Sequence, residues 1–344
     1  MAGDGYRVGV LGATGLVGST ILGLLAEREF PVAEVVPLAS ARSAGKEIEW
    51  NGESLTCRAV GEDAIRGLDL VLSSAGGSVS AEWTPKIVAT GATVVDNTSY
   101  WRMHDDVPLV VAEVNPEALE GHKGIIANPN CSTMQMMVAL KPLYDEAGIE
   151  RLVISTYQAV SGTGKAAIDE LLEQTHALLH GQEAKASIYP RQIAFNVLAQ
   201  AGGFADGDDH TDEERKLINE TRKILGDQKI KVSATCVRVP VVTGHSEAVN
   251  VETREPLSPE RARELLAAAP GVTVVDDPAA GLYPMAIDAA GKDDVFVGRI
   301  RRDPGNESAI DLFVVADNLR KGAATNAVQV AELLVERELL GKRG

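Results

Sequence analysis

The first third of the chain alternates short apolar, β-branched runs with longer segments of helical period. Residues 7–11 read as a buried strand and 16–29 as the helix that follows it. Further strand-like runs fall at 35–38, 69–72, 92–96 and 124–127. Strands covered on both faces lose the in-out alternation of a half-exposed strand, and with helices between them they predict a parallel sheet. Past Cys131 the texture changes. A helical pattern over 134–146 is followed by runs at 152–160, 230–239, 247–253, 295–302 and 309–315. These predict a larger, mostly antiparallel sheet with helices on one face. The segment 181–212 has no firm period and holds a Gly202-Gly203 pair and an acidic patch at 206–209; it reads equally as a cover for a partner subunit or as a mobile surface loop. An amphipathic helix over 323–340 closes the chain and is expected to pack back on the first domain. The fold class expected is α/β. A Rossmann-type, doubly wound parallel-sheet domain takes 1–130 and 321–344, and an α+β domain with a large mixed, mostly antiparallel sheet takes 131–320.

Length agrees with two domains, since 344 residues exceed most single cores. A formal charge of −16 argues against a nucleic-acid partner, whose phosphates it would repel, but leaves room for an anionic small molecule beside a local cluster of Arg and Lys. Cys57, Cys131 and Cys236 are widely spaced, with no CxxC pair, so neither a disulfide framework nor a zinc site is suggested and no metal is expected. Residues 1–6 lack the apolar core of a signal peptide, and no apolar run reaches membrane-spanning length. A soluble, cytoplasmic protein is expected.

Chemistry concentrates at a few points. Cys131 stands in NPNCST (128–133), just ahead of a predicted helix. Unpaired N–H groups and the positive dipole end at a helix start favour thiolate over thiol, and Asn130 can supply an amide beside the sulfur. The first strand runs into GATGLVG (12–18), where Gly12, Thr14, Gly15, Leu16 and Val17 would let the backbone approach a pyrophosphate. Its GxxGxxG spacing departs from GxGxxG, and its place in the first βαβ unit is what raises its weight. An NAD enzyme would carry Asp or Glu at the end of the second strand; here Ser40, Arg42 and Ser43 stand there and suit a 2′-phosphate, so NADP is expected. Ser74 and Gly76, in a loop after a later strand at the same edge, could pass under the cofactor. A second glycine turn, QAVSGTGK (158–165), contributes Gln158, Ser161 and Gly162, and RVPVVTGHSE (238–247) carries Arg238 and His245. Glu220 and Lys223, three apart on a helix, would be a surface salt bridge on pattern alone.

Together GATGLVG, NPNCST, QAVSGTGK, ETRK (220–223), RVPVVTGHSE and DNLRKGAA (317–324) resemble the aspartate-β-semialdehyde dehydrogenase family over essentially the whole chain, in order and in separation. The length of the middle segment is similar to the branch common in Gram-positive bacteria. The resemblance implies NADPH-dependent reductive dephosphorylation of L-aspartyl 4-phosphate to L-aspartate 4-semialdehyde, a step toward lysine and diaminopimelate, methionine, threonine and isoleucine. By the same resemblance Cys131 is the nucleophile that forms a thioester and His245 the acid/base. Gln158 orients the acyl group, and Asn130 with the Cys131 N–H stabilises the oxyanion. Arg238 takes the α-carboxylate, Glu220 the α-amino group, Arg102 and Lys223 the phosphate, and Asn318 the nicotinamide carboxamide. A homodimer is implied, with 131–320 as the catalytic and dimerisation domain. Competing readings are an N-acetylglutamyl-phosphate reductase, whose acylated amine would not need a Glu220-like carboxylate, a triose-phosphate dehydrogenase, a non-catalytic nucleotide-binding homologue, and a Cys–His hydrolase.

Overall fold

A computed structural model describes residues 5–204 and 207–340; residues 1–4, 205–206 (Asp206 of the acidic patch among them) and 341–344 lie outside the described residues. The chain divides into two compact units, one of 1–130 with 323–344 and one of 131–322.

The first unit is built on β1 (Tyr6–Leu11), β2 (Val32–Ala39), the hairpin β3 (Glu47–Trp50) and β4 (Glu53–Thr56), then β5 (Arg58–Ala59), β6 (Leu70–Ser73), β7 (Thr93–Asp96) and β8 (Ile125–Ala127). Six of these form a parallel sheet in the order β5-β2-β1-β6-β7-β8. Alternate residues feed two cores. Val8, Val10, Leu70, Leu72 and Val95 face one, and Leu11, Val71 and Val94 face the other. That two-sided burial is why these runs are apolar throughout. Helices α1 (Leu16–Glu27) and α9 (Thr325–Glu336) cover the first face, with Ile21, Leu24 and Leu25 packed among Ala327, Val328, Ala331 and Leu334. Burial of each such leucine contributes about 1.5–3 kcal/mol. Arg28 donates to both carboxylate oxygens of Glu332 at 2.8 and 2.7 Å, pinning α9 to α1. Short α2 (Glu62–Ile65) and longer α3 (Gly77–Ala89) connect strands of the sheet.

The hairpin β3–β4 is absent from the pattern reading. Its signal is Asn51-Gly52, with φ of 49° and 82°, the paired left-handed geometry of a two-residue hairpin turn. Trp50 donates its indole N–H to Leu22 O at 2.8 Å and so ties the hairpin to α1.

The second unit carries α4 (Cys131–Ala147), β9 (Ile149–Gln158), α5 (Lys165–Leu179), α6 (Asp212–Leu225), β10 (Lys231–Arg238), β11 (His245–Thr253), α7 (Pro259–Ala268), β12 (Val272–Val274), α8 (Ala286–Ala289), β13 (Val295–Arg302) and β14 (Ala309–Ala316). The sheet order is β10-β9-β11-β14-β13-β12; the three inner pairings are antiparallel and the two outer ones parallel. The sheet is therefore mixed, as the pattern of runs predicts. Helix α4 packs on it, burying Met134, Met136, Met137, Leu140 and Leu143. Among the described residues no helix is long and apolar enough to cross a membrane.

Candidate active site

Sheet register assembles the polar residues of the second unit. Arg238 on β10 lies beside Gln158 on β9, and the next row holds Cys236, Thr156 and Glu247. His245, two residues before Glu247 on β11, shares its face, because side chains alternate along a strand. Helix α4 brings Cys131 and Ser132 over this face. Gln158 Nε2 reaches Ser132 Oγ at 3.1 Å, Thr156 Oγ1 at 3.3 Å and Glu213 Oε1 at 3.4 Å. Gln135 Nε2 donates to the His245 carbonyl at 3.3 Å. Cys131 is partly exposed while Cys57 and Cys236 are buried, and burial pushes the Cys236 thiol up, away from reactivity.

Two close approaches explain glycines that the motifs carry. A β-carbon on Gly162 would stand 3.2 Å from both Arg238 Nη1 and His245 Nε2, so a side chain in the turn between β9 and α5 would crowd both. A β-carbon on Gly322 would lie 2.9 Å from Cys131 Cβ.

Arg238 is buried, donates Nη1 to Ala159 O at 2.7 Å, and leaves its Nε without a partner. A buried guanidinium with open donors is costly unless an anion completes it. His245 is also buried. Its Nδ1 accepts the Ala159 N–H at 3.0 Å while Nε2 has no protein partner. The neutral ring therefore carries its proton on Nε2. Burial, and then the nearby Arg238 charge, hold its pKa down to about 3, with Glu213 opposing. In this tautomer His245 donates a hydrogen bond. Uptake of a proton, as the base role requires, obliges Nδ1 to release the Ala159 N–H.

The acid beside Gln158 is Glu213, whereas the family resemblance gives the α-amino group to Glu220. Glu213 sits in the first turn of α6 and pairs with Lys216 Nζ at 3.0 Å. Glu220 and Lys223 stand seven residues on, about 10 Å further along the helix axis. The spacing Glu-x-x-Lys occurs twice on α6, at 213/216 and 220/223. The available signal was the capping box at Thr211 and Glu214, which marks the helix start. Glu214 Oε1 also accepts the Cys236 N–H at 3.0 Å, bolting that start to β10 two residues before Arg238.

Asn318 Oδ1 accepts the Gly244 N–H at 2.9 Å and its Nδ2 donates to Ser161 Oγ at 2.9 Å, so it joins the turn that holds Ser161 to the loop that leads into His245.

Glu247 is fully buried and neither carboxyl oxygen has a hydrogen-bond partner. Burial raises its pKa well above 4.5, the Glu213 charge adds to this, and Ser132 and Gln135 act against it. Above pH 4.5 the unfolded chain ionises first, so this group costs stability increasingly as pH rises toward its folded pKa. His245 works in the other direction: its neutral form is held in the fold, and stability is lost as pH falls from 6.5 toward 3. Glu247→Gln is expected to melt higher than the parent at pH 8, with the gap closing near pH 4. Melting curves across pH test this, and an equal destabilisation at every pH would contradict it.

In the first unit, chain order turns between β1 and β6: β2 lies on one side of β1 and β6 on the other. The crevice outside the carboxyl ends of strands at such a reversal is where α/β sheets bind ligands. The Gly12–Gly18 turn follows β1, and Ser74 and Gly76 follow β6. A β-carbon on Gly18 would stand 2.1 Å from Gly12 O, which makes the turn that tight. Thr14 and Gly15 are exposed, and no side chain caps the start of α1. After β2, Ser40 and Arg42 are exposed but Ser43 is buried, so the first two are the open donors there. These residues fit a dinucleotide. Arg102 is buried, donating Nε to Asn128 O at 2.9 Å and Nη2 to Asn97 O at 2.8 Å, and Asn130 is buried ahead of α4.

Comparison with known proteins agrees with both halves of this description. Residues 7–122 match the NAD-binding domain of semialdehyde dehydrogenases, and 140–321 match their dimerisation domain. An aspartate-semialdehyde dehydrogenase of Aquifex aeolicus is 57% identical over 340 residues, covering 98% of this chain and 100% of the relative. The crystal structure of aspartate semialdehyde dehydrogenase II from Vibrio cholerae complexed with ASA is 50% identical, with a TM-score of 0.94 over 96% of this chain and 98% of that one. The Candida albicans enzyme with NADP is 27% identical, with a TM-score of 0.74 over 97% and 99%. The fold, the two matched domains and full-length identity above one half place this chain in the aspartate-semialdehyde dehydrogenase family of oxidoreductases.

Proposed function

We propose that the chain catalyses the NADPH-dependent reductive dephosphorylation of L-aspartyl 4-phosphate, through a thioester on Cys131, to L-aspartate 4-semialdehyde. The observation that carries this reading is the buried Arg238 guanidinium with open donors, facing His245 across Gly162 and sharing its sheet row with Gln158. A planar fork in that state suits an α-carboxylate. Glu213, beside Gln158, supplies the opposite charge for an α-ammonium group, which favours a free amine over an acylated one. The ASA complex of the Vibrio relative supports the same substrate class.

The Cys131 thiolate, favoured at the start of α4 and formed by release of its proton to solvent, attacks the acyl carbon; the C–O bond to phosphate breaks, phosphate leaves, and the carboxyl carbon is held as a thioester. Gln158, set by Ser132, Thr156 and Glu213, orients the acyl group. NADPH, when bound, would supply a hydride to the thioester carbon; breaking of the C–S bond then releases the aldehyde and returns the Cys131 sulfur. His245 meets the charge that develops on sulfur and then on oxygen with its Nε2–H, and Asn130 with the Cys131 N–H adds donors. Arg102 and Lys216 provide the cations for the phosphate; Lys216 replaces Lys223 in that role because it accompanies Glu213. One of Asn318's two amide hydrogens is left for a nicotinamide carboxamide. Homodimerisation is supported by the dimerisation-domain match and by Tyr157, Tyr283, Met285 and Ile287, which are exposed on the second unit.

NADP selectivity is assigned to Arg42 with Ser40. Arg42→Ala is expected to raise KM for NADP about tenfold and leave NAD use unchanged, the loss of one charged hydrogen-bonding group. Equal losses with both cofactors would move 2′-phosphate recognition elsewhere.

The overall reading is tested in the reverse direction, by NADPH formation from aspartate semialdehyde, NADP and phosphate. N-acetylglutamate semialdehyde and glyceraldehyde 3-phosphate run beside it. Turnover with aspartate semialdehyde alone, and only with phosphate, is the expected result. Turnover with another aldehyde would keep the thioester chemistry and reassign Arg238 and Glu213.

A further inference from the structure

The segment between α5 and α6, which has no periodicity in sequence, is clasped to α5 by two buried acceptors. Glu170 takes the N–H groups of Ser187 at 2.8 Å, Ile188 at 2.5 Å and Tyr189 at 3.3 Å, together with the Ser187 hydroxyl at 2.6 Å. Gln174 Oε1 takes those of Ile193 at 2.9 Å and Ala194 at 3.1 Å, and its amide donates to Lys185 O at 2.9 Å. So many main-chain donors on two side chains determine the path of a loop with no ladder of its own. The path ends at Arg238. Leu198 and Arg238 exchange both backbone hydrogen bonds, at 2.9 and 2.8 Å, and Ala201 donates to Cys236 O at 3.1 Å, so the segment extends the sheet along β10. The Tyr189 ring lies 5.9 Å from the Arg238 guanidinium carbon and is nearly buried among Val160, Leu171, Ile193 and Leu198. Its hydroxyl donates to Thr163 Oγ1 at 3.0 Å.

We propose that this segment is a positioning device for Arg238, with the Tyr189 ring holding the guanidinium plane so that its open donors face the substrate carboxylate. It rests on the assignment of Arg238 to that carboxylate. The ring face attracts the cation without using any of its N–H groups, unlike a carboxylate partner, which would consume them. Backbone pairing at Leu198 sets where the arginine starts, and the ring sets where it ends.

The test compares Tyr189→Phe, Tyr189→Leu and Tyr189→Ala with the parent in the phosphate-dependent assay, after melting curves show which variants fold. Leucine keeps apolar bulk in the cluster without a π face. Expected is a near-normal Phe variant and Leu and Ala variants whose KM for aspartate semialdehyde rises about five- to thirtyfold, with KM for NADP unchanged. In Arg238→Lys the Tyr189→Leu change should add little further. A Leu variant as good as Phe, a Phe variant as poor as Leu, or parallel losses in kcat and in KM for NADP would each overturn the proposal. Parent enzyme inactive on aspartate semialdehyde would instead remove the functional reading, which the same assay reports separately.

Discussion

Replacing Cys131 by alanine is expected to lower turnover by about 10⁴-fold or more while leaving NADP binding within about twofold of the parent. A thioester route has no detour around a missing sulfur, so the loss falls on kcat and is not recovered at high substrate. The cofactor residues proposed here, from Gly12 to Val17 and at Ser40 and Arg42, belong to the other unit and keep their geometry. Alkylation should agree. Cys57 and Cys236 are buried, and burial holds the Cys236 thiol up, so iodoacetamide is expected to modify Cys131 first and to inactivate in step with that single adduct. Retained activity in the alanine variant, or inactivation that tracks another cysteine, would end the covalent mechanism.

The second large effect separates two acids on one helix. Glu213→Gln is expected to lower kcat/KM for aspartate semialdehyde by about 10²- to 10³-fold, the scale of losing one partner of a desolvated charge pair. Glu220→Gln, about 10 Å away along α6, is expected to change kcat/KM by less than about fivefold and to act through stability. The contrast decides between them because both acids are buried, both have a lysine three residues on, and both substitutions remove one charge. Gln at 213 keeps the hydrogen-bonding shape near Gln158 but brings no negative charge to an ammonium group. Should Glu220→Gln be the damaging change, the amine site lies further down α6 and the role given to Lys216 falls with it.

These two expectations mark the limit of what the linear chain reveals. The place of Cys131 at the start of α4 was legible because a thiol at a predicted helix start is a local arrangement, complete within NPNCST. The glycine turn at 12–18 was legible for the same reason, and so was the absence of an acid after the second strand. That Glu213 stands beside Gln158 was not, because Glu-x-x-Lys recurs one heptad later on the same face, and periodicity cannot tell which end of a helix meets the strand ends. The Asn51-Gly52 hairpin carried a local signal that the search for parallel strands passed over. Ser43, grouped with Ser40 and Arg42 by adjacency, is buried once the turn after β2 closes.

What the sequence determines by itself is therefore the inventory. It sets the alternating strands and helices of the first unit, the switch to a mixed sheet after Cys131, and the short motifs whose chemistry lies within a few residues. Burial and register belong to the tertiary structure alone. The state of His245 depends on the Ala159 N–H and Arg238, that of Glu247 on Ser132, Gln135 and Glu213, and the setting of Arg238 on Tyr189 and Leu198. Each of those partners is brought in from another element. Desolvation and hydrogen bonding act over a few ångströms of space, and only the closed chain determines which residues share them.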